Sequence, residues 1–183
     1  TAAEPVAAVA AKPTALEAFK ARHGKVVELV KKGASTEALQ KEVDLLLNYK
    51  ALAESSLGGP KHFASKCASR CAEFENLLAR LIRENYLKHI RSDKKYELTI
   101  LGEEAKVRGT HVRTQIAVTR DGKPEQLEVV YVMEETSDGW QVEDIVTDGV
   151  SLAKNYKFEF NKILKDKGID ELIKRLEGKV QEL

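Results

Sequence analysis

The spacing of apolar residues switches twice along this chain, and that switching limits the folds open to it. From about residue 63 to 90, Phe74, Leu77, Leu78, Leu81, Ile82, Tyr86 and Ile90 recur at steps of three and four. That is one stripe on a long helix. Past Tyr96 the step falls to two, as in a half-buried strand: Tyr96, Leu98 and Ile100 alternate with polar residues, and Gly102 ends the run. Three further strands are expected, over Lys106–Arg120, Leu127–Met133 and Trp140–Val146. After Gly149 the helical step returns with Leu152, Tyr156, Phe160, Ile163 and Leu164; Gly168 breaks it, and a last helix starts near Asp170. Helices, four consecutive strands and helices again predict an α+β fold. It would have a curved four-stranded antiparallel sheet with N- and C-terminal helices packed against it.

Punctuation agrees with the periods. Thr14 followed by Glu17 is a capping-box pattern for a first helix carrying Leu16, Phe19, Val26, Val27 and Val30. Ser35 caps a second helix, and Gly58-Gly59-Pro60 stops a short third. Asp121-Gly122 and Asp138-Gly139 are hairpin turns, and Pro124 is expected to lie outside the strand that follows it. Leu127–Met133 is apolar on both faces beyond Glu128, which places it centrally and covered on both sides. Residues 1–13, Ala-rich with Pro5 and Pro13, read as a disordered lead-in to a single domain over 14–183.

Charge excludes some functions. Lys+Arg is 30 against 29 Asp+Glu, so the basic excess of a nucleic-acid binder is missing. No run of about 18 apolar residues occurs to span a bilayer. The chain starts at Thr1 rather than Met, as a mature end left by processing or a cut boundary would. Cys67 and Cys71 have C-x3-C spacing, unlike zinc or redox motifs. On a continuous helix their Cβ vectors run nearly parallel, which suits a disulfide poorly. They read first as small buried or half-buried residues, with bridging left open.

One stretch is more specific than these patterns. Gly139-Trp140-Gln141-Val142-Glu143-Asp144-Ile145-Val146-Thr147-Asp148-Gly149-Val150-Ser151-Leu152 resembles the signature of the MlaC, or toluene-tolerance, family. Lys167-Gly168-Ile169-Asp170-Glu171-Leu172 is similar to that family's closing turn and last helix, and Val43-Asp44 to Leu57-Gly58 to its early pattern. The likeness runs from about residue 20 to 180. The chain departs from the family before the long helix, where His62 to Phe74 carries the two cysteines. The resemblance implies a sheet and helices enclosing a deep apolar cavity (an NTF2-like arrangement) that binds a phospholipid and needs no other cofactor. It implies a periplasmic shuttle. The partners would be an outer-membrane lipoprotein complex and an inner-membrane ABC transporter with an MCE-type substrate-binding subunit. The precursor would carry a signal peptide, and the carrier would be a monomer.

Lipid-lining candidates on strands are Leu98, Ile100, Val112, Ile116, Val118, Val129, Tyr131, Met133, Val142 and Ile145. Helices add Leu78, Leu81, Leu152 and Phe160. Such residues are also what a plain core needs. Arg108, Arg113 and Lys154 are candidate cations for an anionic head group, and each also fits a solvated face. Trp140 reads as a packing residue whose indole N–H needs a partner, and Asp144 as a structural carboxylate. Related α+β folds host enzymes built on buried Asp/His pairs, so His111 with Asp144 is the enzymatic candidate. The remaining histidines lack metal-protease spacing, and neither a nucleophile elbow nor a Gly-rich phosphate loop occurs. The expected function is therefore non-catalytic lipid carriage. Carriage of another hydrophobic molecule, or an adaptor with a filled core, is the alternative.

Overall fold

The structure, a computed structural model, describes residues 11–92 and 96–183. Most of the predicted lead-in, residues 1–10, lies outside the described residues. Five helices come first: α1 (Ala15–Lys31), α2 (Thr36–Leu46), α3 (Tyr49–Ser56), α4 (Pro60–Cys67) and, after a 3-10 turn at Ala68–Arg70, α5 (Cys71–Ser92). Strands β1 (Leu98–Ala105), β2 (Thr110–Arg120), β3 (Lys123–Thr136), β4 (Gly139–Thr147) and β5 (Val150–Ser151) follow, and α6 (Leu152–Gln181) ends the chain. The strands pair in sequence order, all antiparallel.

Local chemistry explains the helix starts. The Thr14 hydroxyl accepts the Glu17 N–H at 3.2 Å, and the Glu17 carboxylate accepts the Thr14 N–H at 3.1 Å. This reciprocal cap satisfies two of the orphan donors at the start of α1. Ser35 accepts the Ala38 N–H at 3.2 Å to start α2, and Gly33, at φ 66°, takes the left-handed turn between them.

Several sequence expectations need correction. The sheet has five strands, not four. The fifth is only two residues long, held to the end of β4 by a turn in which Asp148 and Gly149 both have positive φ. Gly102 does not end β1; the strand runs on to Ala105, and the pairing with β2 slips at Ile100/Gly102, leaving Leu101 as the extra residue of a bulge. Residues 106–109 form the turn before β2, closed by the Lys106 N–H on the Gly109 carbonyl. Pro124 lies inside β3, opposite Thr119. It is tolerated because β4 joins β3 only from Val129 onward, so the missing N–H has no ladder partner to lose. The long helix predicted from residue 63 is two helices, broken at Ala68, whose φ is 49°.

That break also lets the two cysteines bridge, a point the spacing alone left open. Cys67 and Cys71 are disulfide-bonded, with their Cα atoms 4.8 Å apart. A continuous helix aims such a pair in parallel; the left-handed residue between them turns the two side chains toward each other.

The core lies on one side of the sheet. Leu127, Val129, Tyr131 and Met133 of β3 face the helices and join the main apolar cluster with Phe19, Leu78, Ile82 and Phe160. Val130 and Val132 point to the other face and are buried without joining that cluster. Their cross-strand neighbours there are Arg113 and Val146, and His111 and Asp144. The expected cover on both faces is thus a helical layer on one face, while on the other Val130 and Val132 stay outside the core.

Candidate functional site: a cleft between the sheet and the fifth helix

Alternation along the strands aims Ile116, Leu127, Val129, Tyr131 and Ile145 at the helical side. The register then stacks them, with Ile116 opposite Leu127 and Tyr131 opposite Ile145. They form one wall of a cleft of about 340 Å³. The last turns of α5 form the facing wall with Asn85, Tyr86, Lys88 and His89. Thr147, Val150, Leu152 and Asn155 close one side, and Tyr96 and Arg120 complete the lining. The volume falls near the small end of the range for ligand sites, about 300–1,000 Å³.

Behind the cleft wall lies a buried polar group that sequence reading assigned to no site. His23 of α1 is 4% exposed. Its Nδ1 lies 2.6 Å from the Tyr86 hydroxyl and its Nε2 2.9 Å from the Tyr96 hydroxyl. A neutral imidazole donates from one nitrogen and accepts at the other, so it serves both tyrosines. Burial pushes the His23 pKa down to about 4, and burial holds the hydroxyls of Tyr86, Tyr96 and Tyr131 well above the usual tyrosine range. The interior side of the cleft is therefore uncharged at neutral pH. Phe19 stacks on His23 at 4.9 Å and packs tilted against Tyr131 at 4.4 Å, which fixes the wall from behind.

The 14 candidate lining residues divide by position. Ile116, Val129, Tyr131, Ile145 and Leu152 come together in the cleft. Leu78, Val112, Met133, Val142 and Phe160 are fully buried in the packed core and do not reach the lining. Leu98, Ile100 and Val118 are half-buried against the core, and Leu81 lies in a separate shallow groove with Tyr156 and Leu183. The candidate cations do not line the cleft. Arg108 is exposed in the β1–β2 turn and Lys154 on the first turn of α6, while Arg113 lies 3.7 Å from Glu128. Lys88, His89 and Arg120 occupy the mouth instead. Their place on a helix stripe's polar flank and at a hairpin end reads in sequence as ordinary solvated surface.

The enzymatic candidate comes apart. His111 and Asp144 both pair with Val132, from opposite sides, so a whole strand separates them by roughly 10 Å. The oxygens of Asp144 are engaged elsewhere: Oδ1 accepts the Ile145 and Ala153 N–H groups at 2.9 and 3.0 Å, and Oδ2 accepts the Ser151 hydroxyl. Asp144 thus fastens the start of α6 to β4 and sets the position of Leu152 and Asn155 at the cleft. Asp144→Ala is expected to lower unfolding stability by about 2 kcal/mol, read from urea midpoints. Trp140 does find a partner, donating its indole N–H to the Pro13 carbonyl at 3.0 Å. No group of acidic, His and Cys residues able to hold a metal occurs among the described residues. No described helix is long and apolar enough to cross a membrane.

The resembling stretches acquire structural roles. Asp44 accepts the Arg83 guanidinium at 2.9 and 3.1 Å and the Tyr49 hydroxyl, tying α2 to α3 and α5. Gly168, at φ 81°, kinks α6 into two arms. The fold and the cleft define an α+β protein whose single antiparallel sheet carries helices on one face, with a ligand-sized cleft between sheet and helix. A model of the MlaC protein family matches residues 21–178, and the chain belongs to that family. Among solved structures it is similar to the phospholipid-binding protein of Ralstonia solanacearum, determined in complex with a phospholipid. The TM-score is 0.71 at 19% identity, covering 93% of this chain and 98% of that one. No curated protein matches the chain.

Proposed function

We propose that this protein is a non-enzymatic phospholipid carrier, with the acyl chains held between the sheet and α5. The observation that carries the reading is the cleft itself: a wall of Ile116, Leu127, Val129, Tyr131 and Ile145, partly open to solvent, in a chain of the MlaC family. The phospholipid bound by the Ralstonia relative supports the same class of cargo. Each buried methylene contributes roughly 0.8 kcal/mol, so two acyl chains bind without any specific polar contact. The present volume of about 340 Å³ is small for them, so loading requires the α5 wall and the sheet to move apart. The site of action is the periplasm. The Cys67–Cys71 disulfide supports an oxidising compartment. Cargo passes between an outer-membrane lipoprotein complex and an inner-membrane ABC transporter with an MCE-type subunit.

Transfer of a fluorescent phospholipid from vesicles tests the cleft. Val129, 5% exposed, lines it. Val129→Glu places a carboxylate among acyl chains, and Val129→Trp fills the space without charge. Both are expected to cut uptake at least about tenfold, since an unpaired buried charge or lost chain contacts each exceed 1.4 kcal/mol. Val107→Glu, at a fully exposed turn position, is expected to load normally. Undiminished uptake by both Val129 variants would place the lipid elsewhere.

A further inference from the structure

The chain carries 29 Asp and Glu residues, yet none lines the cleft among the described residues. Apart from the three tyrosines, the polar lining is made of Lys88, His89 and Arg120 with the amides of Asn85 and Asn155 and the Thr147 hydroxyl. In a protein of net charge +1 this is a local selection, not a general basic excess. Lys88 has no ion-pair partner among the described residues, and Arg120 has only Glu125, at 3.7 Å with both side chains at least half exposed. Burial, and then the charges of Lys88 and Arg120, lower the His89 pKa, so the three groups share one positive field. These residues come from the end of α5, the end of β2, the end of β4 and the start of α6, so they converge only in the folded chain.

We infer that this rim is the receptor for an anionic lipid head, with Lys88 and Arg120 facing its phosphodiester, and that it favours heads of net negative charge over zwitterionic ones. This rests on the carrier reading above. A zwitterionic head brings an ammonium to a rim whose lining, among the described residues, has no carboxylate to receive it, whereas an uncharged glycerol head leaves the phosphate's charge uncompensated and attracted. The amides and the Thr147 hydroxyl donate to phosphate oxygens without adding charge. The attraction acts near solvent and weakens with salt.

The test is a competition between phosphatidylglycerol and phosphatidylethanolamine of identical chains, offered in mixed vesicles at low ionic strength. The bound ratio is read by native mass spectrometry. The wild type is expected to favour phosphatidylglycerol by about fivefold. Lys88→Gln with Arg120→Gln removes the preference while total loading persists, which also shows that the variant is folded. Lys50→Gln with Lys61→Gln, the same loss of two charges at exposed sites on α3 and α4, keeps the preference. Equal loading of the two lipids by the wild type, or a preference that survives the double variant, overturns the rim assignment and leaves the carrier reading standing. A wild type that loads neither lipid overturns both. Glycerophosphoglycerol, the same head without chains, is expected to bind far more weakly than the lipid. Comparable binding would assign the rim to a free phosphodiester instead.

Discussion

Between pH 7 and pH 4 the protein is expected to lose about 3 kcal/mol of stability through His23 alone. Its folded pKa is about 4 against 6.5 for an unburied histidine. A base with a depressed folded pKa binds fewer protons when folded than when unfolded. Its contribution is therefore complete above pH 6.5, falls as the pH drops toward 4, and levels off below that. The chemistry is specific: a second proton on the imidazole would leave two donors facing two tyrosine hydroxyls and bury a charge against Phe19. Carboxylates also titrate in the lower part of this window, so the measurement is a difference. Urea unfolding is followed across the range for the wild type and for His23→Gln, which does not titrate. The variant is expected to be less stable at pH 7, and its stability to fall less steeply below pH 6.5. Parallel pH profiles would mean that His23 is not held neutral by its surroundings.

Phe160→Ala is expected to cost about 3–5 kcal/mol, the range for emptying a large aromatic site. Phe160 is fully buried on the first arm of α6. Its ring meets Phe74 of α5 edge-on at 5.6 Å and stacks on Tyr156 at 5.1 Å. It is the joint between the two longest helices, and α5 supplies one wall of the cleft. Phe160→Leu, which keeps most of the volume, is expected to lose much less. Similar losses in both would show that aromatic geometry, not the cavity, sets the cost. Calorimetric or urea unfolding at pH 7 separates these outcomes.

The contrast between Phe160 and Val129 shows what could be read in advance. Both were candidate lipid contacts; one is solid core and one is cleft wall. A core and an apolar pocket demand the same side chains at the same period, so spacing alone does not divide them. The switch from a helical step to alternation was legible because it is written locally, as were the Thr14 and Ser35 caps, whose partners lie three residues away. Gly102 was ambiguous, since glycine serves a strand's end and a bulge equally well. The disulfide was hidden because it depends on Ala68 taking a left-handed conformation, and alanine carries no mark of that. The cationic mouth was misplaced for a related reason. Lys88 and Arg120 are far apart in sequence and only the sheet's return brings them together. His23 looked like an ordinary helix histidine until Tyr86 and Tyr96 closed on it from 63 and 73 residues away.

The central claim is that the cleft carries a phospholipid, and its most direct test is the mass of the protein as a bacterial periplasm delivers it. Native mass spectrometry with lipid extraction on such protein is expected to show a population heavier by one phospholipid, and that population should be lost in Val129→Glu. Protein recovered repeatedly without lipid, and refusing phospholipid when it is added back, would contradict the account.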